Sequence, residues 1–291
     1  MKVTRVSPFV LLILALSVVR FGAAQPVQAR PRITGINHIA FRVTDAKAAR
    51  RFYSEILGLS EYPSADGVPL AYAVGSHQRV IVEPGLPAGE DERLSHLAFE
   101  TPDVKALGAH LSALGFAVTQ PKERCDPSAI RVVDPDGHPI EFVEAPWPPP
   151  PSAAPGGSAL SKRLLHAGLT VRDEQNAHRF YRDALGFSEI WRGGRPEGVT
   201  QWINMRVPDG TDYLEYMLSA TPPDRQRRGS MHHVCLMVPD IQTAWEEVGR
   251  RNTGSTVRLS PPNVGVNGRW QLNLYDPDGT RTELMEPFRV R

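Results

Sequence analysis

Six residues of two chemical types stand at matched places in the two halves of this chain. The first half carries His38, His96 and Glu141; the second carries His166, His233 and Glu283. The paired histidines lie 58 residues apart in the first half and 67 in the second. Each glutamate follows an Asp-Pro-Asp-Gly turn, at 134–137 and 276–279, and sits four residues past the glycine. Two imidazoles and a carboxylate form a donor set for Fe(II), Mn(II), Ni(II), Co(II) or Zn(II). Sites with few protein ligands keep positions open for water or substrate and are the catalytic kind. The expectation is one divalent metal per domain. A lone histidine at a strand start is more often a hydrogen-bonded structural residue, and a lone glutamate after a turn is usually a solvated strand end. Recurrence of the same three types at matched positions argues against that plainer reading.

The elements that must hold these residues repeat as well. His38-Ile39-Ala40-Phe41-Arg42-Val43 leads to Arg51-Phe52-Tyr53 and Leu57-Gly58-Leu59; His166-Ala167-Gly168-Leu169-Thr170-Val171 leads to Arg179-Phe180-Tyr181 and Leu185-Gly186-Phe187. Weaker copies begin at His96 and His233. Internal repeats of this kind mark a doubled architecture. Along Ile36–Val43 side chains alternate faces, with His38, Ala40 and Arg42 on one and Ile39, Phe41 and Val43 on the other. Asp45 caps a helix, and Ala49, Tyr53, Ile56 and Leu57 recur at helical spacing to pack on the strand. In the fourth copy Asp240 caps, with Ile241, Ala244, Trp245 and Val248 as the buried stripe. Shorter alternating runs and turns follow each helix. Each module therefore reads as a strand, a helix and about three further strands. A lone module leaves a sheet face bare. Paired modules give an α+β fold: four modules in two domains, each a curved eight-stranded mixed sheet with helices outside and a cup inside. The expected domains are 33–145 and 162–287. Between them, 146–161 is a Pro-rich linker that adds little to a core.

The N-terminus reads differently. A short basic segment, an apolar run from Phe9 to Val19 and Gly22-Ala23-Ala24 have the layout of a secretory signal peptide over 1–24. The run is shorter than the about 20 residues of a membrane span. The expected mature protein starts near Gln25, secreted or periplasmic, with no membrane attachment after signal removal. A formal net charge of +1 gives no field suited to nucleic acid. The expected partner is a small-molecule substrate, with the protein a monomer or homodimer. Cys125 and Cys235 are expected to be free thiols.

The opening His strand, the Phe-Tyr and Leu-Gly-Phe helix signature and the Asp-Pro-Asp-Gly…Glu ending resemble the vicinal oxygen chelate superfamily. That superfamily includes glyoxalase I, extradiol ring-cleavage dioxygenases, epimerases and bleomycin-resistance proteins. The resemblance covers 33–145 and 163–287. It implies βαβββ modules whose first and last strands supply metal ligands, which marks His38, His96, Glu141, His166, His233 and Glu283. It also implies a fourth ligand from the last strand of the leading module, the place of Glu215. In the first half that strand runs Arg79–Glu83, and either Ile81 or Glu83 takes the equivalent place. The set His166, Glu215, His233 and Glu283 resembles metal-dependent glyoxalase I, in which a ligating glutamate is the base; Glu215 and Glu283 are the expected catalytic residues. The function implied is a metal-dependent lyase or isomerase acting on a small vicinal-oxygen substrate. The alternatives are an extradiol-type dioxygenase using non-haem Fe(II) and a non-enzymatic small-molecule binder.

Strand alternation sketches the second cup. Tyr213, Glu215 and Met217 face it, as do His233, Cys235 and Met237. Two sets are left open between faces: Trp202, Asn204 and Arg206, and Arg269, Gln271, Asn273 and Tyr275. Arg, Asn and Gln would suit an oxygen-rich substrate. His178 is expected to be exposed, and His232 to point toward the helix layer or solvent.

Overall fold

The computed structural model describes residues 30–62, 70–87, 89–121, 129–144, 158–221, 231–252, 254 and 257–290. The expected leader, most of the linker and Cys125 lie outside these residues. The first half contains β1 (Gly35–Val43), α1 (Ala46–Arg50, running on as a π-helical segment Arg51–Ile56), β2 (Ser60–Glu61), β3 (Leu70–Val74), β4 (Gln78–Pro84), β5 (Leu94–Glu100), α2 (Val104–Ala113), β6 (Ile130–Val133) and β7 (Pro139–Val143). The second contains β8 (Leu164–Val171), α3 (Glu174–His178, continued by Arg179–Ala184), β9 (Ser188–Gly193), β10 (Trp202–Arg206), β11 (Tyr213–Leu218), β12 (His233–Met237), α4 (Ile241–Arg251), β13 (Asn263–Val264), β14 (Arg269–Tyr275) and β15 (Arg281–Arg289).

The strands form two mixed sheets, ordered β2-β3-β4-β1-β5-β7-β6 and β13-β14-β15-β12-β8-β11-β10-β9. The eight-stranded expectation is met in the second half. In the first, seven strands form among the described residues, and a single antiparallel bridge, Thr119 with Arg131, stands where the eighth would be. Within each sheet the two module-opening strands pair antiparallel, β1 with β5 and β8 with β12. Each also pairs in parallel with the last strand of its own module. This topology gathers residues far apart in sequence at the centre of each sheet.

An aspartate caps each of α1 to α4. Asp45, Asp103, Asp173 and Asp240 each accept backbone N–H bonds from the first turn, satisfying donors that a helix start leaves orphaned. The helices cover the sheet faces opposite the cups, and contacts between the halves join the two helix layers. Phe99 packs on Phe187 and Phe116 on Phe180, while the Arg251 guanidinium of α4 donates to the carbonyl of Ile56 after α1. One continuous core results. Each fully buried Phe or Leu in it contributes about 1.5–3 kcal/mol. Part of the segment expected as linker joins this layer: Leu160 N–H donates to Leu57 O, and Ser161 Oγ to Met237 O.

The halves also exchange reciprocal hydrogen bonds. Tyr53 of the first half donates to Asp276, and Tyr181 of the second donates to Asp134. Each Asp-Pro-Asp-Gly turn is thus fixed by the opposite half, and each turn launches the strand that carries a cup carboxylate. Two histidines differ from expectation. His178 is buried, its ring against Tyr216 and its Nε2 3.3 Å from Glu174. His232 points away from the cup, as expected, but meets His138 and Glu92 of the first half rather than solvent. Cys235 is a free, buried thiol. No helix among the described residues is long and apolar enough to cross a membrane.

Candidate metal centres

The seven expected ligands fall into two groups, His166, Glu215, His233, Glu283 and His38, His96, Glu141; within each group the ligand atoms lie within 4.8 Å of one another. Position along the strands explains the convergence. His166 lies on β8, beside β11 with Glu215 and β12 with His233, while Glu283 lies on β15 next to β12. In the second half the His166 and His233 Nε2 atoms are 3.1 Å apart. Glu215 Oε2 is 3.8 Å from His166 Nε2 and 3.4 Å from His233 Nε2; Glu283 Oε2 is 3.3 and 3.7 Å from the same atoms. Ligand bonds of about 2.0–2.2 Å imply ligand–ligand separations of roughly 3.0–3.5 Å at octahedral or tetrahedral angles. The four donors fit one divalent ion.

Their surroundings suit ligation. His233 Nδ1 lies 2.7 Å from the Met231 carbonyl, which leaves Nε2 as the lone-pair nitrogen facing the group. Burial, with the charges of Arg281 and His166, holds the His233 imidazole well below its usual range, so it stays neutral. Burial alone would raise Glu283, but its contact with His166 and the Arg281 charge outweigh that and keep the carboxylate ionised. Tyr213 stacks on the His166 ring with centroids 4.6 Å apart.

In the first half His38 and His96 bring their Nε2 atoms to 3.0 Å, and Glu141 Oε2 lies 3.8 Å from His96 Nε2. Ile81 rather than Glu83 takes the place of Glu215: Ile81 pairs with Ala40 as Glu215 pairs with Gly168. Glu83 lies one alternation further on, with Oε1 3.7 Å from His96 Nδ1.

The two sets whose facing was open both line the second cup. Ile203, Met205, Leu272 and Leu274 belong to the helix-side core, which turns Asn204 and Asn273 inward. Asn204 pairs with Glu215, and Asn273 with Glu283. Each asparagine has a buried side-chain oxygen with no hydrogen-bond partner among the described residues.

Three further residues were not singled out from sequence. Arg281, one alternation before Glu283, places Nη2 2.6 Å from Nδ1 and 2.7 Å from Nε2 of His233. Gly168, one alternation after His166, has His233 across from it, and a Cβ there would fall within the imidazole. Arg131, ten residues before Glu141 as Asn273 is before Glu283, donates to Glu141 Oε1 from Nε at 3.0 Å and Nη2 at 2.7 Å. For Arg281 the usable signal was strand alternation, and for Arg131 the matched spacing of the halves.

Known proteins share both the fold and the sequence pattern. Over 249 residues the chain is 30% identical to metapyrocatechase 2 of Cupriavidus necator, covering 78% of this chain and 72% of that protein. A lactoylglutathione lyase of Arabidopsis thaliana is 23% identical over 276 residues, 86% of this chain and 90% of the relative. The crystal structure of the 2,3-dioxygenase LapB from Pseudomonas sp. KL28 superposes with a TM-score of 0.69 at 19% identity, covering 90% of this chain and 96% of that one. Residues 35–142 and 163–284 match the profile of the glyoxalase/bleomycin resistance protein/dioxygenase superfamily, and the chain belongs to that superfamily.

Proposed function

We propose that the second half is the working site of a divalent-metal-dependent lyase or isomerase, glyoxalase-like, acting on a small substrate with two vicinal oxygens. One observation carries this reading: a second carboxylate, Glu215, joins the group of His166, His233 and Glu283. Two imidazoles and two carboxylates leave a six-coordinate ion two places, enough for one pair of substrate oxygens. Bound there, the ion would supply Lewis acidity to that pair. The chain's own residues do the rest. Glu215 and Glu283 take the proton from the carbon beside the oxygens and return it, as a base poised within the group can. Asn204 and Asn273 present amides beside the two carboxylates and orient the substrate. Arg281 offsets negative charge that develops on its oxygens. Relatives named as a lactoylglutathione lyase and as methylmalonyl-CoA epimerases support chemistry of this class.

An extradiol-type dioxygenase is the second reading. It is favoured by the match to metapyrocatechase 2 and by ligand groups that each lie within one half. Two imidazoles and one carboxylate are the usual set for such iron oxygenases, and Glu215 counts against it. The leader-like N-terminus supports export, and hence a substrate met outside the cytoplasm; the mass of the mature protein, starting near Gln25, tests that.

The reaction itself is tested by proton exchange. Metal-loaded protein is incubated in deuterated water with 2-oxoaldehyde–thiol adducts, and in parallel aerobically with catechols. Deuterium incorporation that falls by about 10²–10⁴-fold in Glu215→Gln is expected. Oxygen uptake with ring cleavage, retained in Glu215→Gln, would sink the lyase reading in favour of the dioxygenase.

A further inference from the structure

Equivalent positions in the two cups carry different charges. Arg131 on β6 faces Glu141 on β7 in the register in which Asn273 on β14 faces Glu283 on β15. Ile81 on β4 stands where Glu215 stands on β11. Relative to the second cup, the first has a carboxylate replaced by an aliphatic side chain and an amide replaced by a guanidinium. Each change adds one positive charge to the first cup, while Pro139, standing where the second half has Arg281, removes one.

The hydrogen bonds tell the same story. Glu141 is fully buried, and two guanidinium N–H groups of Arg131 already engage its Oε1. Arginine in such a contact is a permanent cation. The imidazoles of this half also have a consistent chain of partners. His38 Nδ1 is 2.8 Å from Asn37 Oδ1, His38 Nε2 is 3.0 Å from His96 Nε2, and His96 Nδ1 is 3.2 Å from Ser95 Oγ. One tautomer assignment satisfies all three: His38 protonated on Nδ1, His96 on Nε2, and the Ser95 hydroxyl donating. The second half has no such chain: His233 donates from Nδ1 to Met231 O, Arg281 Nη2 lies 2.7 Å from its Nε2, and His166 Nδ1 is buried with no partner among the described residues. Arg79, fully buried and in register with His38 where the second half has Tyr213, adds a further cation to the first cup. Glu83, partly exposed beside His96, is the nearest additional carboxylate there.

We propose that Arg131 latches the first cup: its guanidinium takes the charge-balancing place that a metal ion takes in the second, so the chain holds one divalent ion and not two. The first cup then acts as a closed strut that sets β1, β5 and β7. A divalent ion entering it would meet Glu141, the one carboxylate of its ligand group among the described residues, already neutralised by Arg131 at Oε1 with only Oε2 left to ligate, and would sit near the buried cation of Arg79.

Metal stoichiometry tests the latch apart from the reaction. The full chain is stripped with a chelator and equilibrated with Mn(II), and bound manganese per chain is measured by elemental analysis and titration calorimetry. Wild type is expected to hold a single equivalent, lost in His233→Ala and kept in His38→Ala. The double variant Arg131→Asn with Ile81→Glu is expected to gain a second equivalent that His38→Ala removes. Two equivalents in wild type, one of them lost in His38→Ala, would overturn the latch. So would a folded double variant that gains nothing. Should the double variant not fold, Arg131→Asn is compared with Arg131→Lys; gain in Asn alone is expected, and equal binding by the two overturns the proposal. Wild type without manganese would defeat the reading of the second cup, while the latch would still be decided by the gain on unlatching.

Discussion

The two Asp-Pro-Asp-Gly turns are near copies with opposite electrostatics. In each, the first aspartate turns Oδ1 inward to accept two backbone N–H bonds, from Asp136 and His138 in one copy and from Asp278 and Thr280 in the other. In each, Oδ2 accepts a tyrosine hydroxyl from the opposite half. One neighbour differs. His138 places Nδ1 2.8 Å from Asp134, whereas Thr280 holds that position beside Asp276. Burial pushes both carboxyls up. The His138 bond and charge more than offset it at Asp134, which is held below its usual range, while Asp276 is pushed up to about 7. Duplication preserved the backbone geometry and left the charge balance to single neighbours. The cups show the same pattern at Arg131 and Asn273.

The comparison predicts opposite responses to one substitution. Asp134→Asn removes the partner of a buried imidazole whose own pKa is raised chiefly by Asp134 against the opposing effect of burial. Removing one member of a buried pair costs about 3–5 kcal/mol. Urea unfolding near neutral pH measures it; a loss under about 1 kcal/mol would mean that the pair is not ionised.

Asp276→Asn should do the reverse. The folded pKa of Asp276, about 7, lies above its ordinary 3.8. A raised folded pKa means that its stabilising contribution is fully present below about 3.8 and is lost as pH rises through about 7. An amide is neutral throughout, can accept both backbone bonds and can donate to Tyr53. At ~pH 8 the variant is expected to be more stable than wild type by roughly 4 kcal/mol, with the difference vanishing toward ~pH 4. Thermal unfolding across that range decides it. A variant that is destabilised at both ends would show that Asp276 is ionised and well paired.

Much of this was legible in the sequence because it rests on short-range pattern. Alternation fixed which residues of β8, β11 and β12 share a face, and aspartate caps with Leu-Gly stops bounded α1 and α3. Matched spacing brought His166, His233 and Glu283 to notice, and the family resemblance added Glu215. What stayed hidden depends on packing across strands or halves. The burial of His178 rests on its contacts with Tyr216 and Glu174, which helical spacing does not reveal. The placement of His232 required the docking of the two halves. The charge of the first cup required the register that puts Arg131 across from Glu141, since spacing alone counts the imidazoles and carboxylates alike in both.

Gly168 offers the smallest and most local contrast between the cups. It faces His233 across the β8–β12 pair, as Ala40 faces His96 across β1 and β5. In the first half a methyl group is accommodated there. In the second, a Cβ would collide with the imidazole, which is pinned between the Met231 carbonyl and the ligand group. The ring cannot yield without leaving one of these. Gly168→Ala should therefore weaken divalent-ion binding by about 10–100-fold, the usual scale for disturbing a group that orients a ligand. Ala40→Gly should leave metal binding unchanged, because the first cup is latched by Arg131. Calorimetric titration of both variants with Mn(II) separates them. If Gly168→Ala binds as wild type does, His233 is freer to shift than its contacts imply, and the tight fit of the second cup is not what holds its imidazole in place.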